Sequence, residues 1–130
     1  MVIEALGGYK AEPKKILMGG PMMGMAVPSD ECSIVKNNNG ILAFSEKDSL
    51  LPEETECINC GKCVATCPLR LMPNMIAKAY KRKDVDELKA LDVNTCMECG
   101  CCSFVCPASR KLVQSMRVGK TILRNASTGK

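Results

Sequence analysis

The chain has no histidine, no tryptophan, and only two phenylalanines and two tyrosines in 130 residues. No grouping of residues resembles a catalytic acid, base or nucleophile, and the side chain that most often fills those roles at neutral pH is missing. Residue-based catalysis by this chain is therefore not expected. A large aromatic core is excluded too, so nine methionines and the aliphatic residues must fill whatever interior exists. Long hydrophobic runs are also absent. The longest uncharged stretch, "ILMGGPMMGMAVPS" at 16–29, is interrupted by Gly and Pro and falls short of the ~20 apolar residues a membrane span needs. The opening "MVIEALGGYK" lacks the basic start and apolar stretch of a secretory signal. An interior location follows, where thiols stay reduced, and membrane association would have to go through partner proteins.

What the chain has in excess is cysteine, ten in all. Such richness means a disulfide scaffold or metal ligation. The arrangement decides between them. "CINCGKCVATCP" at 57–68 and "CMECGCCSFVCP" at 96–107 are two copies of one pattern. Cys57, Cys60, Cys63 and Cys67 match Cys96, Cys99, Cys102 and Cys106, while Gly61 matches Gly100 and Pro68 matches Pro107. C-x2-C-x2-C-x3-C-P is the bacterial iron–sulfur run, and its duplication predicts two [4Fe–4S] clusters. Three closely spaced thiols wrap three corners of a cubane from one loop, and the fourth cysteine is expected to stand off at the start of the following helix. In two-cluster ferredoxins that fourth cysteine ligates the other cluster. The expected sets are thus Cys57, Cys60, Cys63 and Cys106 for the first cluster, and Cys96, Cys99, Cys102 and Cys67 for the second. Gly61 and Gly100 allow tight backbone against the cluster, and Pro68 and Pro107 fix φ and are expected to start helices directly after the ligand. Zinc is the competing occupant, but its sites usually pair two separated C-x2-C units. Cys32 and Cys101 fall outside the repeat and read as small buried apolar groups, with a substitute ligand as the alternative role for Cys101.

Charge says less. The formal net charge is +4 with the thiols counted neutral, and two bound clusters would bring the total near zero, so no nucleic-acid reading follows. From residue 107 onward there is no acid, while Arg110, Lys111, Arg117, Lys120 and Arg124 are all basic. That face is either solvated or a dock for an acidic carrier or anionic lipid surface. The methionine run at 18–25 lacks the pattern of a phosphate loop.

The order of elements predicts an α+β chain. Residues 1–44 read as a helical turn stopped by Gly7, a strand at "KKILM", a turn at "GGPMMG", and a hairpin "CSIVKNNNGILAF" closed by Asn39-Gly40. Residues 45–56 carry five acids and one lysine and read as a solvated linker. Residues 57–125 form the two-cluster module, and 126–130 a frayed tail. Between the cysteine runs, Met72, Met75, Ile76, Ala79 and Tyr80 mark one helix face, begun at Pro73. Asp84 and Glu87 cap a second helix carrying Val85, Leu88 and Leu91. Leu112, Val113, Met116 and Leu123 mark a third, with Gly119 as a weak point.

Three stretches together, "KKILMGGPMMG" at 14–24, "ECINCGKCVATCPLRLMP" at 56–73 and "CMECGCCSFVCPASRKLVQSMR" at 96–117, resemble the C subunit of the Rnf electron transport complex. The resemblance implies the end of a β-grasp domain of the soluble ligand-binding type, followed by a helical ferredoxin-like module. It also implies membership of a membrane-associated complex at the cytoplasmic face, coupling electron flow between ferredoxin and NAD to ion movement. The FMN- and NAD-binding region of that family would precede this stretch, so those cofactors are carried to no residue here. Cobalamin reductases look similar in domain order and remain an alternative, as does a zinc-stabilised interaction module.

Overall fold

The computed structural model describes residues 2–128. They form two compact units divided between Pro52 and Glu53. The first opens with a helical turn, α1 (Val2–Ala5), and holds three short strands, β1 (Lys15–Met18), β2 (Met25–Val27) and β3 (Ile41–Phe44), before the turn α2 (Glu46–Ser49). The sheet has the order β2-β1-β3 and both pairings are antiparallel. Ile16 and Leu17 of the central strand are its buried residues. Gly24 is fixed by geometry, because a Cβ there would lie 2.5 Å from the Gly20 carbonyl oxygen. The β1–β2 connection therefore closes only with glycine at its end.

The expected hairpin around Asn39-Gly40 does not form. Neither residue adopts the positive φ that a type I′ turn demands of both central positions. Ile34 and Val35 stay exposed in a loop, and β3 pairs with β1 instead, Leu17 facing Leu42. The Gly19 N–H donates to the Gly40 carbonyl at 2.7 Å and extends that pairing. The other edge is taken by β2, a strand too short for its alternation to stand out beside the glycine-rich turn.

The second unit is helical: α3 (Lys62–Ala65), α4 (Pro73–Arg82), α5 (Val85–Ala90), a 3-10 turn at Val93–Thr95, α6 (Cys101–Phe104) and α7 (Leu112–Thr128). Pro68 and Pro107 do not start helices as expected: each opens a turn, and the next helices begin only at Pro73 and Leu112. Pro73 occupies the first turn of α4, where its missing N–H costs nothing. Lys83 closes α4 in a left-handed conformation, its N–H bonding back to Ala79 and Tyr80. Asp84 caps α5 by accepting the Glu87 N–H at 2.9 Å. The buried face of α4 is Ile76, Ala77 and Ala79, rotated from the expected stripe, so that Met72 is left exposed. Ile76, Leu88, Val93, Met116 and Leu123 meet in one apolar cluster where α4, α5 and α7 pack. Gly119 faces Leu88 and Val93: a Cβ there would meet them at 3.4 Å, ordinary contact, so a methyl fits and anything larger would press on α5.

Part of the acidic stretch belongs to this unit. The Thr55 N–H donates to the Ala108 carbonyl at 3.0 Å, and Glu54 pairs with Arg110 at 3.3 Å. Residues 126–128 belong to α7, and the last two residues of the expected tail lie outside the described residues. No helix among the described residues is long and apolar enough to cross a membrane.

Candidate metal centres

The two cysteine runs repeat in backbone as well as in sequence. Asn59 and Gly61 have φ of 54° and 73°, and their counterparts Glu98 and Gly100 have 59° and 89°. Arg70 and Ser109, also counterparts, have 54° and 50°. In each copy the left-handed glycine precedes a single helical turn, α3 or α6, which carries the third cysteine inward. Glycine reaches that conformation without strain. Asn and Asp tolerate it better than other residues, whereas Glu98 does not share that tolerance. The strain at Glu98 is offset by its side-chain contacts. Its carboxylate bonds Arg117 Nε at 2.9 Å and Lys120 Nζ at 2.7 Å, and Lys120 also reaches the Cys96 carbonyl. The hydrogen bond from Lys120, followed by that from Arg117, holds the Glu98 carboxyl below the usual carboxylate range against a partial burial that raises it.

These loops surround two pockets. The first is lined by Cys57, Cys60, Cys63 and Cys106, together with Ile58, Asn74, Ala77, Lys78, Lys81, Arg110 and Leu112. The second is lined by Cys67, Cys96, Cys99 and Cys102, together with Leu69, Leu71, Pro73, Met97, Glu98, Val113 and Met116. Each pocket thus gathers three cysteines from one run and the fourth from the other. The first has a cavity volume of about 150 Å³, against the ~10–15 Å³ that seats one water. The second is tighter, about 20 Å³. Met116 and Leu69 fill space there that Ala77 and Ala108 leave free in the first.

Four thiols round one pocket are electrostatically uncomfortable on their own. Burial pushes the Cys102 thiol up to about 11; a backbone N–H from Ser103 opposes this, and neighbouring Cys96, Cys99 and Cys63 push it further up. Burial also raises Cys63, against backbone N–H groups that include that of Asn74. Protonated thiols are poor ligands, so loading either site requires a cationic guest whose field displaces the protons. Among the described residues no three Cys, Asp or Glu side chains converge on one point. Each pocket is lined by four thiols, a donor set of the kind that an iron–sulfur cluster takes. Backbone donors are in place as well: the Leu71 N–H points to Cys67 Sγ and the Glu98 N–H to Cys96 Sγ, each at 3.4 Å. One polar atom is orphaned. Asn74 Oδ1 is buried with no hydrogen-bond partner, and Asn74 lines the first pocket. An amide turned end for end would offer its NH₂ there, to the sulfur of a bound cluster. The residues present therefore fit an iron–sulfur guest.

The remaining cysteines are placed differently. Cys32 is half-buried in the first unit, and Cys101 is half-buried on α6. Cys101 lines neither pocket, and its neighbour Cys99, first among the causes, raises the Cys101 pKa together with burial. Cysteine spacing alone does not single out Asn74, Lys78, Lys81 or Glu98. A signal for them exists, because the repeat continues past the cysteines. The offset that carries Cys57 onto Cys96 also carries Asn59 onto Glu98, Asn74 onto Val113, Lys78 onto Arg117 and Lys81 onto Lys120.

Comparison with known proteins fits this geometry. A family model described as a 4Fe-4S dicluster domain matches residues 50–107. The C subunit of the ion-translocating oxidoreductase complex of Methanosarcina acetivorans is 44% identical over 95% of this chain and 28% of its own length. The C subunit of the Na(+)-translocating ferredoxin:NAD(+) oxidoreductase complex of Acetobacterium woodii is 40% identical over 92% of this chain and 27% of its own. The C subunit of the proton-translocating ferredoxin:NAD(+) oxidoreductase complex of Clostridium ljungdahlii is 41% identical over 95% of this chain and 27% of its own. The chain spans about a quarter of the length of these curated relatives.

Proposed function

The chain is a homologue of the C subunits of ion-translocating oxidoreductase complexes, and from that premise we propose that it carries electrons through two [4Fe–4S] clusters within such a complex. Cys57, Cys60, Cys63 and Cys106 hold the first cluster. Cys96, Cys99, Cys102 and Cys67 hold the second. When bound, each cluster supplies one-electron chemistry at a potential set by hydrogen bonds to sulfur, charge and burial. The chain's own residues do the rest. Gly61 and Gly100 take the left-handed turns that lead into α3 and α6, and the Leu71 and Glu98 N–H groups donate to the thiols of Cys67 and Cys96. Leu71, Val113 and Met116 keep water from the second site, and Leu112 and Ala77 wall the first. The exchange of fourth cysteines keeps the two sites side by side, as an electron relay requires. The gathering of four thiols around each pocket, three from one run and one from the other, is the observation that carries this reading.

By the same reading the chain works beside the other members of a membrane-associated complex. It sits at the cytoplasmic face through those partners, and ferredoxin and NAD are the terminal redox partners of the assembly. EPR of the anaerobically reconstituted, dithionite-reduced protein tests the proposal. The expected result is a pair of spin-coupled [4Fe–4S] signals with about eight iron per chain. A colourless protein that takes up zinc in stoichiometric amounts would defeat it.

A further inference from the structure

The basic residues that the sequence offers for docking are those from Arg110 to Arg124, just before and along α7, yet the structure occupies most of them. Arg110 is paired with Glu54, and Arg117 and Lys120 both serve Glu98. Their counterparts in the first copy of the repeat stand otherwise. Lys78 and Lys81 lie one turn apart on α4, are exposed, and line the first pocket. The loop residue that would neutralise them is Asn59 where the second copy has Glu98. No ion pair engages either lysine among the described residues. Beside them Ile58 is 68% exposed, and Cys60 is the one cysteine of the ten that is exposed. The second pocket has half-buried or buried thiols throughout.

We propose that the Ile58–Cys60–Lys78–Lys81 surface over the first pocket is a docking site for an acidic protein electron carrier. This rests on the two-cluster reading above. Two exposed cations outside any ion pair among the described residues flank an exposed apolar residue and an exposed cysteine, which is the complement of an acidic rim around a carrier's own redox group. Cationic clefts raise association rates with such partners by about 10–10³-fold, and the gain fades as salt rises. The exchange served is one electron, lost by whichever group is reduced, the carrier's centre or the cluster held by Cys57, Cys60, Cys63 and Cys106, and gained by the other. No bond forms and no proton moves.

The test uses the full reconstituted chain and an acidic plant-type [2Fe–2S] ferredoxin as probe. Binding is measured by biolayer interferometry, and electron exchange by anaerobic stopped-flow, for the parent, K78E/K81E and the charge-matched control K89E/R124E. Lys89 and Arg124 are exposed and line neither pocket. At about 20 mM salt, K78E/K81E should lose at least about ten-fold in both affinity and second-order rate constant, the control should lose less than about two-fold, and all three should converge near 0.5 M salt. Equal loss in the control, or none in K78E/K81E, would overturn the site. So would unchanged ferredoxin binding with lost sedimentation on phosphatidylglycerol vesicles, which would assign the surface to lipid. Iron and sulfide are counted on the same samples. A parent with full clusters that ignores the ferredoxin refutes the docking surface alone, whereas a parent without clusters refutes the reading beneath it.

Discussion

Replacing Asn74 by leucine should lower the potential of the first cluster and leave the second unchanged. Asn74 sits in the first turn of α4 and lines the first pocket, and its side-chain oxygen is buried without a partner. With its NH₂ turned toward sulfur, the amide donates to a group that becomes more negative on reduction, so the bond strengthens in the reduced state. A hydrogen bond to a charged group contributes about 1.5–3 kcal/mol. Only the part that differs between oxidation states moves the potential. Taking that part as about 1 kcal/mol gives a fall of roughly 40 mV for a one-electron couple, where a factor of ten corresponds to about 59 mV. The fold should accept the change, because the equivalent place in the second copy is Val113, which lines its pocket without difficulty. Removing a buried unsatisfied amide also relieves about 1–3 kcal/mol of desolvation in the cluster-free chain. Stability and potential should thus move in opposite senses, which a merely structural role would not produce. EPR-monitored redox titration of the parent, N74L and N74V measures the potentials, with iron content as the control. Shifts below about 10 mV, or equal shifts at both clusters, would refute the assignment of Asn74 as a donor.

Cys101→Ser should leave iron content unchanged, and Cys67→Ser should strip iron from the second site while the EPR of the first persists; loss from the sequence-local first site would reverse the pairing of thiols with pockets. Gly119→Ala should be neutral or stabilising by up to about 1 kcal/mol through helix propensity, since the new methyl meets Leu88 and Val93 at ordinary contact, whereas Gly119→Leu should cost about 1–3 kcal/mol by forcing α5 and α7 apart; thermal unfolding followed by circular dichroism separates them. Gly24→Ala should disrupt the β1–β2 connection, since its Cβ would meet backbone oxygens at 2.5 and 2.8 Å. Hydrogen exchange at Leu17 and Met18 should rise sharply in that variant, and unchanged protection there would contradict the steric argument.

The helical half is readable from sequence because its signals are local. Pro73 at a helix start, Asp84 as a cap, and the spacing of Ile76, Ala79 and Leu88 each act within a turn or two. The sheet is less readable because pairing is not local. Asn39-Gly40 is a strong hairpin signal, yet the partner that β3 takes is β1, more than twenty residues earlier, with Ile16 and Leu17 to bury. At the metal centres the cysteines announce themselves, since their spacing is the chemistry. What surrounds them does not, because Asn74, Lys78 and Lys81 look like ordinary residues of a solvated helix until α4 is laid against the first loop. Their meaning lies in the comparison with Val113, Arg117 and Lys120, and so in how far the repeat extends beyond the sulfur ligands.

That comparison also bears on why one chain would keep two such similar sites. Duplication alone would give equal surroundings, and an electron would have little reason to rest on either cluster. The departures from symmetry all tend one way. The first pocket has an amide where the second has valine, and it is lined by two lysines outside any ion pair among the described residues, whereas their counterparts Arg117 and Lys120 do not line the second and both pair with Glu98, which does. Positive charge and N–H donors stabilise the reduced form, and an apolar wall with a neighbouring carboxylate opposes it. Cys63 and Cys102 meanwhile share one apolar cluster with Ala77 and Leu112, so the two sites have a common wall but unlike linings. On the two-cluster reading proposed above, the unlike linings would make the first site the lower-energy seat for the electron.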